Sequence, residues 1–102
     1  MAATDVFAVV GPTISVAATA ASASASYTEV IAEGAANIRV YNAGPNTAFV
    51  RFGFGAQTAV LTDTPVPAGV IENFFVGAAD TCAAICAATQ TATVYFTPGN
   101  GI

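Results

Sequence analysis

Residues 37–54 read NIRVYNAGPNTAFVRFGF. Two runs of alternating residues flank a centre of Ala43-Gly44-Pro45-Asn46, a combination that turns a chain. In the first run Ile38 and Val40 point one way and Arg39 and Tyr41 the other. In the second, Val50, Phe52 and Phe54 share a face, with Phe49 and Arg51 opposite. A period of two with β-branched and aromatic residues is the pattern of a half-buried strand. The spacing predicts a hairpin, with both arginines at the polar phase and close enough to repel unless acids or solvent intervene.

The same rhythm continues outward. Strand-like runs recur about every 8–12 residues between turn signals: Val6 to Val10, ended by Gly11-Pro12; Thr13 to Ala18; Ser26 to Ile31, ended by Glu33-Gly34; Gln57 to Leu61; Val70 to Val76; Cys82 to Ala87; and Thr91 to Thr97. Ala17 to Ser26 contains only Ala, Ser and Thr, which suits an arm, a loop or a weakly packed strand, and its alanine content also permits a short helix. Thr64-Pro65-Val66-Pro67-Ala68-Gly69 reads as a loop, because its prolines cannot donate to a ladder. Pro98 to Ile102 reads as an exposed tail. In VIENFFV, residues 70–76, Val70, Glu72, Phe74 and Val76 fall on one face and Ile71, Asn73 and Phe75 on the other. Residues 78–90 are rich enough in alanine for a helix, but Cys, Ile and the flanking runs favour a strand.

Eight or nine short strands predict an all-β chain folded as an antiparallel β-sandwich, jelly-roll-like or immunoglobulin-like. The Cys and Trp pattern of antibody domains is absent, which tilts the choice towards the jelly roll. The 102 residues suffice for one domain. Within it, residues 1–25 form an Ala/Ser/Thr-rich N-terminal strand or arm, and residues 26–102 the sandwich body.

Composition narrows the function. Hydrophobic residues make up 55% and charged residues only 8%, against roughly 25% charged in an ordinary soluble domain. A lone soluble monomer usually carries a mixed charged surface. Burial of much of this surface against neighbours explains its weakness better than a Thr/Ser/Ala coat does. The net charge is −4, and Arg39 and Arg51 are the only cations. Two arginines cannot neutralise the phosphates that nucleic-acid binding involves. The N-terminus carries no cation, and Gly11-Pro12 interrupts its apolar stretch, so neither a signal peptide nor a membrane span is expected and synthesis is expected in the cytoplasm.

The chain has no histidine and no lysine, so Ser–His, Cys–His and Ser–Lys pairs are unavailable and no enzyme is expected. The loose acid pairs Glu29/Glu33 and Glu72/Asp80 lack a cleft to work in. Gly53-Phe54-Gly55 lacks the further residues of a phosphate or dinucleotide loop and reads as a bulge or a strand end. Asp63 and Asp80 lie in no calcium-loop array. Cys82 and Cys86 would stand about 13 Å apart on one strand, beyond the roughly 7 Å a disulfide allows. They are expected as small buried hydrophobes, with no metal and no cofactor. Arginine and tyrosine are frequent interface anchors, so Arg39, Tyr41 and Arg51 are the candidate subunit or shell contact.

Three segments, NIRVYNAGPNTAFVRFG (37–53), VPAGVIENFFV (66–76) and AAICAATQTATVYFTPGNGI (83–102), resemble small virion proteins encoded near the head genes of tailed bacteriophages. The likeness covers about residues 37–102. It implies a capsid decoration, or cement, protein: β-rich, homo-oligomeric (a dimer or trimer), bound to the major capsid protein on the outside of the virion, and without catalytic residues. Other expectations are a tail, neck or fibre component, a secreted or pilus-type subunit, and, from a different class, a carbohydrate-binding or adhesive sandwich.

Overall fold

A computed structural model describes residues 8–9, 12–26, 36–77 and 79–100. These form nine strands: β1 (Ala8–Val9), β2 (Ile14–Ala18), β3 (Ala23–Ser26), β4 (Ala36–Pro45), β5 (Ala48–Gly53), β6 (Thr64–Val66), β7 (Ile71–Gly77), β8 (Thr81–Ile85) and β9 (Ala92–Asn100). All pairings are antiparallel. The first sheet runs β1-β9-β4-β7, with β2 also on β9. β2 lies along residues 92–96 of β9 and β1 along 99–100, so the two share one row and the sheet is four rows wide. The second sheet runs β3-β8-β5-β6.

From β2 onward the chain changes sheet at every connection except β5 to β6. With β2-β9-β4-β7 facing β3-β8-β5-β6, this is the jelly-roll arrangement. An immunoglobulin order would place consecutive strands side by side in each sheet.

The alternation seen in the sequence builds the core. Val16 and Ala18 of β2, Ile38 and Val40 of β4, and Val94 and Phe96 of β9 face Ala48 and Val50 of β5 and Cys82, Ala84 and Cys86 of the β8 segment. Phe52 ties the layers together. Its ring meets Phe96 edge-on at 5.9 Å and Phe74 at 5.5 Å between centroids, geometries that add to simple burial.

Several expectations are corrected. The 37–54 hairpin does not form, since β4 lies in the first sheet and β5 in the second. The cause is Asn42, which is fully buried. Its Nδ2 donates to the carbonyls of Asn46 (2.9 Å) and Val66 (2.7 Å), and its Oδ1 accepts from the Gly44 N–H (2.7 Å). Its backbone also bonds Val70 and Gly69. Gly44 adopts φ +91°, open to glycine at little cost. Together these make a corner between sheets where sequence alone reads a turn within one.

The described part of the N-terminal segment is no detached arm. β2 and β3 are integral strands of opposite sheets. The proline loop contains β6, which tolerates Pro65 because among the described residues it is an edge strand paired only with β5. Residues 57–61 form no strand. The tail is the end of β9, where Pro98 and Gly99 are buried between flanking strands. The run expected at Ser26 to Ile31, and the pair Glu29/Glu33, lie outside the described residues beyond Ser26.

Candidate interaction surface

The outer faces of the two sheets differ. On the second sheet, Arg51 reaches Asp63 at 3.1 Å. Asp63 also accepts from the Val60 N–H at 2.8 Å and closes the turn at 60–63. On the far side of the sheet, the Ala59 N–H donates to Ser22 Oγ at 2.8 Å. Ser22 precedes the edge strand β3, whereas Arg51 belongs to β5, so the 54–63 loop crosses the outer face. Ala83 occupies the outward phase of β8, opposite Arg51 and Ser24, yet is fully buried, as is Ala59. The loop covers Ala83, and Ala59 is the loop residue turned inward against the sheet.

One end of that loop is built with care. The Asp80 carboxylate accepts from the Gly55 N–H (3.0 Å) and from Thr81 Oγ1 (2.9 Å), while the Asp80 N–H donates to the Gly53 carbonyl (3.0 Å). Gln57 donates to the Phe54 carbonyl at 2.9 Å. A Cβ at Gly53 would come within 2.5 Å of the Gln57 amide. The turn holds Phe54 outward, 70% exposed. Of the bulge and the strand end that the sequence allows, Gly53-Phe54-Gly55 is the strand end, braced by Asp80.

The first sheet has no such cover among the described residues. Its outward phase is set by register. Ser15, Tyr95, Tyr41 and Ile71 lie in one row across β2, β9, β4 and β7, and Thr97, Arg39 and Asn73 lie in the next. Asn37 and Phe75 follow. Tyr41 and Tyr95 stack at 6.1 Å with their planes 15° apart. Arg39 Nε donates to Asn73 Oδ1 at 3.1 Å. Ile71 is 60% and Phe75 76% exposed. Large apolar groups adjoining on one face of a monomer signal an interaction site.

The three residues selected from sequence therefore divide. Arg39 and Tyr41 share the outer face of the first sheet. Arg51 lies on the outer face of the second, within an ion pair, so the expectation of one shared face is corrected. The two arginines do not oppose one another. Sequence reading grouped Ile71 with Phe75 by alternation but did not place Ile71 beside Tyr41 or Phe75 beside Asn37. Those neighbourhoods depend on the β4–β7 register, as Tyr95 depends on β4–β9.

Cys82 and Cys86 are free and buried in the core. Burial pushes the Cys82 thiol up to about 12 and raises Cys86 as well. Such thiols are poor nucleophiles and poor ligands. Among the described residues no three His, Cys, Asp or Glu side chains gather as a metal site. No family model, curated protein or solved structure matches the chain.

Proposed function

We propose that this chain is a non-enzymatic structural protein that docks through the outer face of its first sheet, and that it serves as a decoration protein on the head of a tailed phage. The observation that carries the docking reading is the exposed row Tyr95, Tyr41 and Ile71, with Phe75 exposed two rows further along the same face beyond Arg39 and Asn73, on a chain with only 8% charged residues. The covered second sheet strengthens the contrast. A chain without histidine or lysine lacks the common nucleophile–base pairs.

The capsid address comes from the resemblance of residues 37–102, with the major capsid protein as partner and the virion exterior as location. Jelly rolls recur in viral capsid domains, an analogy of fold only. Reconstitution tests the reading. Shells lacking the protein are mixed with the wild-type chain or with the Tyr41→Ser/Phe75→Ser variant, then separated by sedimentation. Wild type is expected to co-sediment and the variant to stay behind while keeping its fold. Equal binding by both removes the face from the contact, and binding by neither removes the capsid partner.

The stacked Tyr41–Tyr95 pair favours one second reading, a sugar platform, because jelly rolls also serve as lectins. A change in tyrosine fluorescence on addition of sugar, absent in Tyr95→Ser, would favour it over the capsid reading.

A further inference from the structure

β7 is the outermost strand of the first sheet, and among the described residues no strand pairs with its other side. It is seven residues long, IENFFVG, with one charge. Long, apolar, weakly charged edges invite another strand unless something blocks them.

The direction of its backbone groups follows from the ladder. The Asn42 N–H donates to the Val70 carbonyl at 3.1 Å. Antiparallel pairs alternate between bonded and non-bonded. The register Val40↔Glu72 and Ile38↔Phe74 therefore continues the bonded series. The N–H and C=O groups of Ile71, Asn73 and Phe75 then point away from β4, towards the open edge.

We infer that β7 pairs antiparallel with β7 of a second copy about a two-fold axis at Asn73, joining the two first sheets into one. In this register Asn73 meets Asn73, and Ile71 of each copy meets Phe75 of the other. All three outward-bonding positions pair with outward-bonding positions. Glu72 falls opposite Phe74 of the other copy, not opposite the second Glu72, so no like charges oppose directly. On the outer face the row Tyr95, Tyr41, Ile71 continues into Phe75 and Asn37 of the second copy, and the apolar band becomes continuous. An isologous contact must be self-complementary in this way. The inference does not rest on the virion reading, since it concerns the edge and not what the face binds.

The test is hydrogen exchange by NMR on the full chain across a concentration series, with sedimentation equilibrium alongside. The expected result is a monomer–dimer equilibrium in which the amides of Ile71, Asn73 and Phe75 slow as the dimer fills. Those of Glu72 and Phe74, already bonded to β4, are protected throughout. Asn73→Pro removes an edge N–H and the Arg39 side-chain bond but leaves the β4 backbone ladder intact, and is expected to weaken the dimer about tenfold or more. Phe75→Lys does the same without altering the backbone, and decides the matter if the proline variant misfolds. A chain that stays monomeric to millimolar concentration overturns the inference. So does a dimer whose Ile71, Asn73 and Phe75 amides remain fast, or one that Phe75→Lys leaves intact.

Discussion

Asn42 is the residue on which the path of the chain turns. Its side chain satisfies three backbone groups at the β4–β5 corner and at β6. Asn42→Ala leaves those groups without their partner in a dry site, and is expected to cost about 2–4 kcal/mol. Chemical denaturation reads this as a lower midpoint at unchanged slope. Asn42→Asp keeps the acceptor for Gly44 but replaces two donations with a buried carboxylate facing carbonyls, and is expected to be at least as costly. Cys82 gives a second test. Its thiol titrates near 9.0 when unfolded and at about 12 when folded, because burial disfavours the thiolate. The folded state therefore holds its full advantage below pH 9 and loses it as pH rises towards 12, at about 1.4 kcal/mol per pH unit. Urea midpoints measured across that window should fall more steeply for wild type than for Cys82→Ala. A thiol reagent at neutral pH should label neither cysteine until the protein unfolds.

Individual strands were legible wherever alternation was strong. NIRVYN, TAFVRF, VIENFFV and TATVYFT all became strands, and Ile38/Val40 and Val50/Phe52 share the inward phases read from the sequence, whereas Phe54, grouped with Val50 and Phe52, lies beyond the end of β5 and is exposed. What failed was partnership. The Gly44-Pro45 turn looks the same whether it closes a hairpin or a corner, and the choice lies in the contacts of Asn42 with residues as far along the chain as Val66, Gly69 and Val70. Pro98-Gly99 reads as a tail only while β1 and β4 are unknown beside it. The Ala/Ser/Thr stretch has little hydrophobic contrast, yet Ala18 is a core residue and Ala23 and Ala25 pack against the core. Removal of residues 1–25 is accordingly expected to abolish the cooperative melt, because it strips one row from each sheet. A truncated chain with a sharp thermal transition and native β-type circular dichroism would contradict the role assigned to β2 and β3. Gly53→Ala should disturb only the 54–57 turn, through the Gln57 amide, with a loss of about 1 kcal/mol or less if Gln57 swings outward. Gln57→Ala should rescue it.

For the whole molecule, the asymmetry between the two sheets matters most. One outer face is strapped by the protein's own loop, with Arg51 and Asp63 holding the strap. The other presents Tyr95, Tyr41, Ile71 and Phe75. The residues of that face were visible in sequence, but their assembly into one surface depended on jelly-roll topology. In the proposed function this face attaches the chain to a viral shell. The most direct test is cryo-electron microscopy of purified particles. The account predicts jelly-roll density on the outside of the head, with Tyr41 and Phe75 turned towards the capsid lattice. Symmetry-related sites should repeat over the whole shell, on the order of hundreds of copies. Particles without the protein, or with it on the shell but the Tyr41–Phe75 face turned to solvent, would contradict it.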